Sequence, residues 1–146
     1  MKKQWSNDWV SSAQPRKQRK YRHNAPLHVM RKFLSVNLSP GLRERVGKRS
    51  AVVRKGDQVK IVRGDLKGKS GPVERVSLRK GKVYIEGIKA KKVDGSEVSL
   101  PLSPSNLQIM NLKLEDKKRQ ATFERSGRTG AAKAAAQKPK KKEKGE

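Results

Sequence analysis

Two stretches of this chain gather cations at spacings suited to gripping phosphate. Between Val62 and Val73 the sequence reads VRGDLKGKSGPV, with glycines at 64, 68 and 71 and with Lys67 and Lys69 on either side of Gly68. Glycine reaches positive φ without steric cost and leaves backbone N–H groups open to an approaching anion. Upstream, RKQRKYR places Arg16, Lys17, Arg19, Lys20 and Arg22 around Tyr21. Guanidinium forks match phosphate oxygens, and a tyrosine ring offers a platform for an exposed base. Both stretches point to a polyanion as ligand. Solvated charge and ordinary turn geometry are the plainer alternatives.

Other chemistries find little support. No glycine precedes Gly68-Lys69-Ser70 by the four-residue gap of a Walker loop, so nucleotide hydrolysis is not indicated. His23 and His28 are the two histidines, with no cysteine in the chain and no carboxylate cluster beside them, so no metal site is expected. Asp57, Asp65 and Glu74 are scattered about the glycine loops and read as turn-forming or solvated, not as a general acid/base pair. No Ser/His/Asp ordering stands out, and neither an enzyme nor a cofactor is expected.

The whole composition agrees. The 146 residues carry 38 Lys+Arg against 13 Asp+Glu, a net charge of +25. Such a charge repels itself unless a polyanion lies nearby. Nucleic acid is the first candidate and an anionic membrane the second. No apolar run approaches the ~20 residues of a membrane span, and the basic start is not followed by an apolar signal core, so no membrane insertion is expected. Lack of cysteine fits a reducing compartment, and the expected location is the cytoplasm. With 32% hydrophobic and 4% aromatic residues, the chain cannot fill a core along its whole length. One small domain with extensions that order on a partner follows.

These candidates need elements to hold them. DQVKIVR alternates Val59 and Ile61 against Lys60. GPVERVSLR, KVYIEGI, the KAKKVDGSEVSLPL hairpin and NLQIMNL complete five short strands, and Asp94-Gly95 predicts a type I′ turn. Five strands punctuated by Gly, Pro and Asp predict a small barrel or partly open barrel. Asn24 is a candidate cap for a helix carrying Leu27, Met30 and Leu34. Ser39, Pro40 and Gly47 bound a second helix, and Glu115 and Asp116 open a third that ends near Arg125. Trp5 and Trp9, four apart, predict a local cluster, packing on the barrel, or docking on RNA or a neighbour. The divisions expected are a basic extension with short helices over 1–49, the barrel over 50–112, a helix over 113–126 and a Lys/Ala-rich tail over 127–146. Residues 1–25 and 127–146 are expected to be disordered in the free protein.

The run RKGDQVKIVRGDLKGKSGPVERV resembles the KOW motif through Lys55-Gly56-Asp57, the strand Val59 to Val62, and Lys67-Gly68-Lys69-Ser70-Gly71. The motif occurs in ribosomal proteins and in transcription elongation factors. The flanks QPRKQRKYRHNAPLHVMRK, LSPGLRERVGKRS and LSPSNLQIMNLKLEDKKR look like the universal large-subunit ribosomal protein twenty-four family, archaeal and eukaryotic branch, called protein twenty-six in eukaryotes. The resemblance spans roughly Gln14 to Arg125, and the archaeal form looks closest. It implies a mainly β protein, a small Src-homology-3-like barrel with helical and basic extended termini. It further implies a structural role in the large subunit near the nascent-peptide exit, early in assembly. The implied partners are large-subunit ribosomal RNA, neighbouring ribosomal proteins and factors docking at the exit; no homo-oligomer is expected. A KOW transcription factor or an architectural DNA binder is the alternative. The candidate RNA contacts are Arg16, Lys17, Arg19, Lys20, Tyr21, Arg22, His28, Arg31, Lys32, Lys60, Arg63, Lys67 and Lys69. The candidate turn glycines are Gly56, Gly64, Gly68, Gly71 and Gly95.

Overall fold

The computed structural model describes residues 5–6 and 12–124. Trp9, Arg125 and the Lys/Ala-rich tail lie outside the described residues. Helices α1 (Pro15–Asn24) and α2 (Leu27–Lys32) lead into strand β1 (Ser35–Leu38) and helix α3 (Pro40–Val46). Strands β2 (Ser50–Val52), β3 (Gln58–Ile61), β4 (Ser70–Ser77), β5 (Lys82–Ile85), β6 (Lys89–Lys91), β7 (Glu97–Ser99) and β8 (Leu107–Asn111) follow. Helix α4 covers residues 117–124.

Six strands form one sheet in the order β2-β1-β8-β3-β4-β5. The β1–β8 pair is parallel and the others are antiparallel. Register shifts at Gln58/Val59 and between Val73 and Arg75 mark bulges, which bend strands and let a short sheet curl. Reciprocal backbone bonds of 2.9 Å between Val83 and Leu102 pull the far edge round towards the chain entering β8. The result is a small barrel-like KOW fold, mainly β with helices at both ends. β6 and β7 pair separately as a projecting hairpin.

Alternation explains which face is inside. Val36 and Leu38 of β1, Val59 and Ile61 of β3, and Leu107 and Ile109 of β8 are buried, with Lys60 outside as its spacing predicts. Leu34, Val73, Val83 and Ile85 close the core. Thus β1 and β2, which the sequence pattern does not reveal, are part of the sheet, and β1 lies within the stretch read as a basic extension.

Several turns differ from expectation. Asn24 is the last residue of α1, and Pro26 caps α2. Ala25 is extended (ψ 138°), as the residue before a proline tends to be, and this separates the two helices. The Asp94-Gly95 turn is not type I′. Gly95 has φ 85°, while no non-glycine residue among those described has positive φ. Gly95 N–H bonds Lys92 O, and the Asp94 carboxylate accepts from the backbone N–H and hydroxyl of Ser96. This suits a type I turn ending in a left-handed glycine, with Val93 at the tip.

Gly71 is also not a turn glycine. It sits in β4 opposite Val59, without positive φ. A Cβ there would lie 3.0 Å from Ile85 Cγ2 and 3.1 Å from the Glu86 carbonyl oxygen. Close packing against β5 is what selects glycine. Gly71→Val is expected to cost about 1–3 kcal/mol through overpacking, measured by thermal melting. A wild-type melting curve would mean that β5 yields at no cost.

Asp57 is neither scattered nor solvated. It is 0% exposed and meets Arg119, 5% exposed, in a two-pronged pair. Arg119 Nη1 donates to Oδ1 at 2.6 Å, and Nη2 donates to Oδ2 at 2.7 Å. The carboxylate also accepts the N–H groups of Arg54 (2.8 Å) and Lys113 (3.0 Å). Arg119 donates further to the carbonyls of Lys113 (2.9 Å) and Val52 (3.3 Å). Asp57 does form the turn that was expected of it, but it also anchors α4 from 62 residues away.

Candidate nucleic-acid interface

Between Asp8 and Glu44 the chain carries no carboxylate side chain. Helix α1 is built from Lys, Arg and Gln, good helix formers, with Pro15 at its first turn and Arg22 and His23 at its negative end. None of its residues is buried. Arg16, Lys17, Arg19, Lys20 and Arg22 are all exposed. Like charges three and four residues apart destabilise a helix in water, and a polyanion beside α1 would relieve that repulsion.

Tyr21 holds α1 in place. Its ring stacks at a tilt on Trp5 (5.1 Å) and meets Phe33 edge-on (6.3 Å). Trp5 Nε1–H donates to the Tyr21 carbonyl at 3.2 Å, and the Arg22 guanidinium lies 5.6 Å from the Phe33 ring centre. Tyr21 therefore has a packing role within the chain. Trp5 belongs to this local cluster. Helix α2 buries Val29 and presents His28, Arg31 and Lys32 to solvent.

The β3–β4 loop corrects another expectation. Gly64 and Gly68 have φ of 92° and 93°, as a tight loop requires. Yet three of its amides, that of Gly68 among them, are taken up within the chain. Lys67 N–H bonds Gly64 O (3.0 Å), Gly68 N–H bonds Ile61 O (2.9 Å), and Lys69 N–H bonds Leu66 O (3.2 Å). Leu66 is tucked against the core. The loop, braced by these three bonds, displays the side chains of Arg63, Lys67 and Lys69. Lys60 is exposed on the adjoining strand. Gly56 (φ 87°) serves the β2–β3 turn, where a Cβ would stand 2.8 Å from Lys113 Cδ.

The four ion pairs among the described residues lie elsewhere. They are Arg54–Asp116, Lys89–Glu97, Lys113–Glu115 and Arg119–Asp57. None of the cations on α1, α2, Lys60 or the β3–β4 loop has an acidic partner among the described residues. Among those residues no group of three or more His, Cys, Asp or Glu side chains could hold a metal, and no helix is long and apolar enough to cross a membrane.

Asp116 caps α4. The Arg54 guanidinium first, and the Lys118 N–H second, hold its carboxyl below the ordinary value of 3.8. A depressed folded value means stabilisation that is complete above the ordinary value and lost as pH falls through the folded one. Amide exchange at Lys118 and Arg119 should therefore accelerate, beyond the intrinsic chemistry, as pH drops below 3.8. Asp116→Asn should remove that acid step. An unchanged profile in the variant would assign the step to another carboxylate.

Sequence reasoning missed Arg54, Lys55 and Arg75, which face one groove beside α2. It also missed Arg119 as a structural group. The available signal was Asp57 itself, a single acid between Gly56 and the first strand residue, which invited a search for a distant cation.

The fold and its cation distribution define a KOW-type barrel with a flank of cations that lack acidic partners among the described residues. A family profile described as eukaryotic ribosomal proteins L26 and their archaeal L24 counterparts matches residues 12–126, and the chain belongs to that family. It is similar to the large ribosomal subunit protein uL24 of Methanosarcina barkeri (strain Fusaro / DSM 804), with 49% identity over 114 residues, covering 78% of this chain and 98% of that relative.

Proposed function

We propose that this protein, a structural constituent of the large ribosomal subunit, holds large-subunit ribosomal RNA with α1, α2 and the β3–β4 loop. The observation that carries the reading is the segregation of charge. Exposed cations without acidic partners occupy those three elements, while the ion pairs gather on the β2–β3 turn, the β6–β7 hairpin and the chain around α4. The protein works in the cytoplasm, as part of the ribosome. Its role is to bind and position RNA without a reaction of its own. Family resemblance supports neighbouring large-subunit proteins as further partners, a position near the nascent-peptide exit, and entry early in assembly. The transcription-factor and DNA-binding alternatives fall with the family assignment.

Arg16, Lys17, Arg19, Lys20, Arg22, Arg31, Lys32, Lys60, Arg63, Lys67 and Lys69 are the phosphate contacts in this reading, with His28 as a polar neighbour. Replacing Lys67 and Lys69 by alanine should leave the fold intact, because exposed lysines contribute little to stability. The slope of log K against log salt for large-subunit RNA should shrink by about 1.4–1.8, from two lost phosphate contacts. A filter-binding titration across salt concentrations measures this. An unchanged slope would remove the loop from the interface.

A further inference from the structure

α2, the β2–β3 turn and β4 enclose an open groove of about 550 Å³. Its floor is apolar, formed by Val52, Val53, Val76 and Leu78, and Leu78 is 38% exposed. Cations line the rim, with Glu74 as the one acid. Of these cations Arg54 is committed to Asp116, whereas Arg31 and Arg75 have no acidic partner among the described residues.

Arg75 is unusually well held for an exposed arginine. It stands opposite Tyr84 in the β4–β5 ladder, with its guanidinium carbon 4.5 Å from the centre of that buried ring. The contact fixes a long side chain before any ligand arrives. The bulge between Val73 and Arg75 breaks strict alternation, so Glu74, Arg75 and Val76 all reach the same groove. Bulges commonly re-aim side chains at functional sites.

We infer that this groove seats one unstacked nucleotide of the ribosomal RNA. The base lies on Val76 and Leu78 beside the planar Arg75 guanidinium, and its flanking phosphates meet Arg31 and Arg75. The inference rests on the RNA reading above and adds a specific pocket to it. Single-stranded RNA is recognised through bases splayed out and stacked on aromatic rings or arginine guanidinium planes, and here Arg75 supplies the plane. The volume falls within the roughly 300–1,000 Å³ of small-ligand sites. Arg31 stands in the last turn of α2, so the groove adjoins the cations of α1 and α2, whose extent favours RNA over an acidic peptide.

The test is a titration of the full chain against large-subunit ribosomal RNA, comparing Leu78→Asp with Leu114→Asp. Leu114 is 40% exposed and lines a different groove, against α4, so it matches Leu78 in exposure and charge change. Leu78→Asp should weaken binding about 10-fold, because it sets a carboxylate where the base and its phosphates would lie. Leu114→Asp should bind like wild type. Arg75→Gln, at an exposed position, should show a loss similar to Leu78→Asp and keeps the test open if Leu78→Asp melts early. Equal losses at 78 and 114, or wild-type binding by both Leu78→Asp and Arg75→Gln, would overturn the pocket while leaving the RNA reading standing. Intact RNA binding with lost retention of a neighbouring protein would assign the groove to a peptide. Failure of the wild-type chain to bind the RNA would overturn both.

Discussion

Asp57→Ala is expected to destabilise the protein by about 3–5 kcal/mol, the usual cost of leaving one half of a buried ion pair behind. The reason is visible in the bonds the carboxylate makes. Its removal leaves the Arg119 guanidinium without its counter-charge, and the amides of Arg54 and Lys113 without acceptors. That is a large share of the roughly 5–15 kcal/mol available to a domain. Arg119→Met should also be costly, because it strands the carboxylate at 0% exposure. Coupled groups are not additive, so the double variant Asp57→Ala/Arg119→Met should cost less than the two singles together. Urea unfolding of the three variants checks this. Additive losses, or a single-variant cost under about 1 kcal/mol, would mean that the pair is not formed as described.

The second large effect concerns α1. Replacing Arg16, Lys17, Arg19 and Lys20 together by glutamine should preserve helix propensity while removing four positive charges. The salt slope for large-subunit RNA should then fall by about 3, from four lost phosphate contacts. Helicity of the free variant should be equal or higher, because the like-charge pairs along α1 are gone. Unchanged RNA affinity at every salt concentration would assign α1 another partner.

Some local signals carried through, although the Asn24 cap and the type I′ turn at Asp94-Gly95 did not. Val59/Lys60/Ile61 alternates over one strand, and Gly47 takes the left-handed cap (φ 65°) with its N–H on Arg43 O. The KOW resemblance pointed to the fold class and the family at once. Much of what else escaped was non-local. β1 has four residues, two of them Ser and Asn, and gains its identity from pairing with β8 some 70 positions later. Asp57 looks like any turn aspartate until Arg119 is brought beside it. Helix α1 has no apolar periodicity to detect, since it packs almost wholly through Tyr21.

The candidate interface divides in the same way. Charge and exposure of Arg63, Lys67 and Lys69 follow from composition, and the loop does display them. The fate of the loop amides does not, because Ile61 and Leu66 claim them only once the β3–β4 turn is closed. Tyr21 likewise was legible as an aromatic among cations, but its partners Trp5 and Phe33 are set by how α1 folds back on β1's approach.

Ultraviolet cross-linking of the protein within the large subunit, followed by mass spectrometry of nucleotide-bearing peptides, tests the central claim most directly. The account predicts ribosomal RNA adducts on peptides from residues 15–32 and from residues 60–69. Adducts confined to the α4 side, with those two segments unmodified, would contradict it.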